Sequence, residues 1–107
     1  MVYSINELQK KVEPIAEKYQ LRSVYVFGSY ARNEATDDSD VDLLVDIEGS
    51  IVKGWIIGGL YNDLCDSLEK ETDLVTVGAL TQDIAEDDTP WFTENVMEER
   101  VLLYEKR

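Results

Sequence analysis

The chain has 107 residues, 44% of them hydrophobic, with 23 acidic against 10 basic side chains, no histidine and a formal charge of −13. That length sets the expectation of one domain, a sheet with helices packed on it, burying ~60–70% of its unfolded surface. The charge excludes unaided nucleic-acid binding, which needs clustered lysine and arginine to displace counterions from phosphates. Divalent cations or a basic protein partner suit such a field instead.

Without histidine the chain has no imidazole for general-base chemistry or metal ligation, so proton transfer falls to carboxylates. The single Cys65 cannot form an internal disulfide, and the periodicity around it reads as helix, where a small core thiol is expected. No signal-peptide pattern and no membrane-length apolar run is present, which sets the expectation of a cytoplasmic protein with no membrane contact.

In chain order, Ser4-Ile5-Asn6-Glu7 has the form of a helix capping box. Leu8, Val12, Ile15, Ala16 and Tyr19 then recur at helical spacing. Pro14 falls inside that pattern and is expected to kink the helix or to start a second short one. Ser23 to Phe27 is β-branched and aromatic and runs into Gly28, a buried strand with a sharp stop. Residues 29–34 read as a short helical turn and 35–39 as a polar loop. Val41 to Ile47 is a second strand. The glycine-punctuated stretch 49–59 is ambiguous. Leu60, Tyr61, Leu64 and Leu68 predict a helix to about Lys70, and Leu74 to Val77 a third strand. Thr89-Pro90 has the N-cap plus N1-proline form of a helix start leading to Met97. Val101 to Tyr104 fits either a short closing strand or a helix tail. This alternation predicts an α/β (α+β) domain.

The chemistry concentrates between residues 24 and 47. On the second strand Asp40, Asp42, Leu44 and Asp46 share one side, and Val41, Leu43, Val45 and Ile47 form an apolar face on the other. Asp40 and Asp42 stand about 6.6 to 6.8 Å apart along a strand, a spacing at which two carboxylates can share a pair of Mg²⁺ ions. Oxygen ligands without histidine or cysteine favour Mg²⁺, or Mn²⁺, over zinc. Upstream, a strand ending in Gly28-Ser29 and turning into helix exposes backbone N–H groups, and phosphate is their natural ligand. Arg32 lies one turn on, within reach of the same phosphates. Asp73 opens the third strand at the parity of Val75 and Val77, so on a neighbouring strand it would face the same cleft and is the candidate to deprotonate an attacking hydroxyl.

Taken singly, each of these features has a plainer explanation. An aspartate-rich stretch after a turn is most often a solvated loop, and a lone arginine is usually a surface charge. An EF-hand alignment fails, because Leu43 would take the required glycine position and Gly49 the required glutamate. Asp46 reads as a strand-end surface charge. Trp55, Trp91 and Phe92 read as core or partner-facing. The joint order of strand, Gly-Ser, turn, loop and Asp-x-Asp is what carries the signal.

That order, "FGSYAR…SDVDLLV", resembles the signature of the DNA polymerase β-type nucleotidyltransferase superfamily. The "YVFGSYAR" lead-in, "TDLVTV" and the closing "VLLYEK" resemble its minimal branch, the MNT-domain antitoxins paired with HEPN-domain toxins. The resemblance covers most of the chain and implies one minimal nucleotidyltransferase domain over residues 1–107, with a small mixed sheet and packed helices. It implies metal ligation by Asp40, Asp42 and Asp73, and nucleotide binding by Gly28, Ser29, Arg32 and Ser39. It also implies two Mg²⁺ ions, ATP as donor and a hydroxyl of the HEPN partner, typically tyrosine, as acceptor of AMP in a hetero-oligomer. Asn33 stands where the family usually has glycine; asparagine tolerates left-handed backbone better than most residues. A rival expectation is an acidic antitoxin that neutralises by contact alone, since an acidic protein can block a basic ribonuclease surface. Small-molecule adenylylation would need an acceptor domain for which this length leaves no room.

Overall fold

The computed structural model describes residues 2–52, 55–77 and 98–106. Helix α1 spans Ile5–Tyr19 and starts with the expected capping box: Glu7 N–H donates to Ser4 Oγ at 3.2 Å, and Ser4 N–H donates to Glu7 Oε1 at 3.0 Å. One helix runs through Pro14, so that residue does not begin a second one. Leu8, Val12, Ala16 and Tyr19 form its buried stripe, with Ile15 half-buried beside them.

Strands β1 (Ser23–Phe27), β2 (Val41–Asp46), β3 (Thr72–Thr76) and β4 (Val101–Glu105) form a mixed sheet in the order β3-β2-β1-β4. β1 pairs antiparallel with β2 and with β4, whereas β2 and β3 are parallel. A parallel pair needs a crossover, and helix α2 (Ile56–Leu68) supplies it. The predicted apolar face of β2, Val41, Leu43 and Val45, joins Val24, Val26 and the buried leucines of α1 and α2 in the main core. Leu44 is buried on the other face with Phe27, against Tyr25, Val75 and Val77. Asp42 shares that second face, which makes it a carboxylate at the rim of an apolar cluster.

Several boundaries differ from expectation. α2 begins at Ile56, four residues before Leu60, and takes in Gly58 and Gly59. A Cβ on Gly59 would come within 3.2 Å of the Tyr19 hydroxyl. That hydroxyl donates to Asp63 Oδ2 at 2.7 Å, an oxygen that also accepts from Lys18 at 2.9 Å. Gly59 thus serves close contact between α1 and α2, a role that looks like a loop signal in sequence. β2 stops at Asp46, β3 starts at Thr72 rather than Leu74, and residues 101–105 are strand, not helix tail. Cys65 lies on α2 as expected but is only half-buried. Trp55 is 87% exposed, which removes it from the core. Trp91, Phe92 and the helix expected from Thr89-Pro90 lie outside the described residues. No helix among the described residues is long and apolar enough to cross a membrane.

Candidate nucleotide and metal site

β1 ends because Gly28 turns the backbone into the left-handed region, with φ +72°. The chain then makes a tight turn. Arg32 N–H donates to Gly28 O at 3.1 Å, Asn33 N–H to Tyr30 O at 3.3 Å and Glu34 N–H to Ser29 O at 2.8 Å. Asn33 closes it with φ +60°, so asparagine meets the left-handed requirement here. The Tyr30 side chain anchors the turn in the main core. Its buried hydroxyl has no hydrogen-bond partner among the described residues. The N–H groups of Ser29, Tyr30 and Ala31, and the Ser29 hydroxyl, likewise make no hydrogen bond among those residues. Consecutive uncommitted donors on a turn of this kind make an anion cradle.

The turn is packed directly on a carboxylate. Phe27 pairs with Asp42 across β1 and β2, so Gly28 follows immediately beside the Asp42 side chain. A Cβ built on Gly28 would overlap Asp42 Oδ2 and come 3.2 Å from Cγ. On the opposite side Asp42 is the parallel-register partner of Asp73. Phe27, Asp42 and Asp73 thus form one row across three strands. Burial, a hydrogen bond with Asp73, and the charges of Asp73 and Asp40 raise the Asp42 carboxyl to about 6, with Arg32 opposing them. Two carboxyls in this register repel when both are charged, which favours the protonated form of Asp42.

Asp40 lies one residue before β2 and is exposed. It acts on Asp42 electrostatically, yet among the described residues no three acidic side chains are gathered closely enough to share an ion. What the fold assembles is the pair Asp42–Asp73, with Asp40 at its margin. This donor set fits a hard divalent cation: it is all oxygen, and it includes a carboxylate whose charge its surroundings oppose.

Two other candidates are engaged elsewhere. Arg32 donates through Nε to Glu34 and through Nη1 to Glu99, each at 3.0 Å. Ser39 Oγ accepts from the Thr36 N–H at 2.9 Å and shapes the 36–39 loop. Lys70 Nζ ties that loop to the end of α2 by donating to Asp37 O at 2.9 Å. Asp46 is a strand-end charge beside Arg22, at 3.8 Å, as expected. Glu34, Glu99 and Lys70 were not candidates from sequence. Glu99 stands 67 positions from Arg32, with no local signal linking them.

Known proteins resemble this chain in sequence and in fold. A family model described as polymerase beta, nucleotidyltransferase matches residues 10–107. A Methanocaldococcus jannaschii chain named as a protein adenylyltransferase is 42% identical over 73 residues, covering 68% of this chain and 74% of the relative. A solved structure described as a minimal nucleotidyltransferase aligns with a TM-score of 0.66 and 27% identity, over 92% of this chain and 95% of its own. The tri-AMPylated HEPN toxin of Shewanella oneidensis in complex with its MNT antitoxin contributes a fold likeness, with a TM-score of 0.59 and 19% identity over 95% of this chain and 73% of that one. With the family model spanning nearly the whole chain and the Gly-Ser turn packed on the paired aspartates, this protein belongs to the polymerase beta nucleotidyltransferase family.

Proposed function

We propose that this chain, as a single minimal nucleotidyltransferase domain, transfers AMP from ATP to a hydroxyl of a partner HEPN-type toxin, typically a tyrosine, and so acts as its antitoxin. The observation that carries the reading is the Gly28–Ser29 turn lying against the Asp42 carboxylate, which in turn pairs with Asp73. The adenylyltransferase name of the M. jannaschii relative and the AMPylated toxin bound to the S. oneidensis antitoxin support the same chemistry.

In this reading the Ser29, Tyr30 and Ala31 N–H groups and the Ser29 hydroxyl bind the phosphate tail, with Arg32 at its flank. Ser39 lies in the loop that leads to the Asp pair. Asp42 and Asp73, with Asp40 drawn in from the margin of the pair, would hold Mg²⁺, two ions or Mn²⁺ in their place, which when bound would neutralise phosphate charge and acidify the attacking hydroxyl. Asp73 accepts the hydroxyl proton as the new P–O bond forms at the α-phosphorus and pyrophosphate leaves. The high negative charge fits docking to a basic partner, and the reaction belongs in the cytoplasm, where ATP is supplied.

The test mixes the protein with the product of its neighbouring gene and MgATP, and follows the partner's mass. Wild type adds AMP, and Asp40→Asn plus Asp42→Asn adds none. Full modification by the double variant, or none by wild type, overturns the reading. If the double variant still neutralises the toxin in cells, neutralisation is by contact alone, the alternative that the charge of −13 favours.

A further inference from the structure

Arg32 is held by one carboxylate from its own turn and one from a distant part of the chain. Its Nε donates to Glu34 Oε2 and its Nη1 to Glu99 Oε2, both at 3.0 Å. The Glu34 side chain is 65% exposed against 32% for Glu99, so the distant partner is the more enclosed one. The sheet explains the meeting. Val26 near the end of β1 pairs with Val101 at the start of β4, so Gly28 and Glu99 each lie two residues beyond that pair, at the same edge of the fold.

A guanidinium is a planar fork of five N–H groups. Bonds at Nε and Nη1 to two separate elements fix its plane and leave three N–H groups, one on Nη1 and two on Nη2. Left alone, a half-exposed arginine beside a surface turn samples many rotamers, and ordering it on binding weakens affinity. We propose that Glu99 is a positioning residue: it holds the Arg32 guanidinium so that the remaining N–H groups meet the nucleotide triphosphate seated on the Gly28–Ser29 turn. The proposal rests on the reading of Arg32 as a phosphate-binding residue. Glu99 itself touches neither nucleotide nor the reacting atoms. Two other roles for the same contact have different signatures. A simple surface ion pair contributes little to anything. A carboxylate that merely screens Arg32 would weaken nucleotide binding while present.

The experiment measures initial rates of AMP transfer to the partner toxin against MgATP concentration, using the full chain. Arg32→Gln is expected to raise KM for ATP. Glu99→Ala is expected to raise it about 3- to 10-fold with little change in kcat, the scale of one newly mobile side chain. Glu99→Gln, whose amide oxygen still accepts from Nη1, is expected to stay within about twofold of wild type. Glu48→Gln, which alters the Arg22 pair at the opposite end of β1, serves as the control. A fall in KM for both Glu99 variants assigns Glu99 to screening and overturns the proposal. So does an unchanged KM in Glu99→Ala alongside a raised one in Arg32→Gln. An unchanged KM in Arg32→Gln rejects the phosphate-binding role of Arg32 itself, a separate failure. Partial unfolding of a variant lowers apparent kcat and leaves KM alone, so it cannot mimic the expected result.

Discussion

Asp42→Asn should stabilise the metal-free protein while abolishing AMP transfer. Asp42 sits between Gly28 and Asp73, and its carboxyl is raised from 3.8 to about 6 by burial and by its two acidic neighbours. At 1.36 kcal/mol per tenfold change in proton affinity, this bounds the cost of the charged form at about 3 kcal/mol. Solvent screening at a half-buried rim reduces the figure to about 1–2 kcal/mol. The sign follows from linkage: a carboxyl whose proton affinity is higher folded than unfolded adds stability below about pH 4, and loses it as pH rises through about 6. At pH 7.5 the wild type therefore carries the full penalty, and the neutral, near-isosteric asparagine does not. In EDTA at pH 7.5 the variant should melt roughly 4–10 °C higher, on the usual scale for a domain of this size. The gap should shrink steadily toward pH 4. Adding Mg²⁺ should raise the melting temperature of the wild type far more than that of the variant. A variant no more stable than wild type at pH 7.5, or a gap unchanged by pH, would refute the account of an electrostatically opposed carboxylate.

Two further perturbations probe the turn. Gly28→Ala places a Cβ on left-handed backbone and into the Asp42 carboxylate; the backbone alone should cost about 1–2 kcal/mol in chemical denaturation, and AMP transfer should fall even where the fold survives. Full activity in that variant would mean that the Gly28–Asp42 contact is not needed. Tyr30→Phe removes a buried hydroxyl without a partner among the described residues, so stability should hold or rise by up to about 1 kcal/mol. A clear loss would show that the hydroxyl is satisfied in solution.

Local rules carry the elements whose pattern is written in consecutive residues. The capping box of α1, the stop of β1 at Gly28 and the apolar face of Val41, Leu43 and Val45 are all of this kind, because caps, turns and side-chain parity depend only on near neighbours. Asn33 belongs with them, since its left-handed turn follows from what asparagine tolerates. The start of α2 was not legible, because Gly58 and Gly59 resemble a loop until the Tyr19 hydroxyl is seen against Gly59.

For the site, the chain order of Gly-Ser and Asp-x-Asp was enough to recognise a phosphate turn followed by acids, with Asp73 as a third acid by parity. The residues alone could not say that Asp42 and Asp73 would share a register across parallel strands, or that Glu99 would close on Arg32. Those are contacts between residues 31 to 67 positions apart. Strand order and register, which bring such residues together, depend on how α2 and β4 dock against β1 and β2. Sequence by itself determined the kinds of chemical group and their local geometry; tertiary packing decided which groups meet, because that choice rests on burying the whole core at once rather than on any one segment.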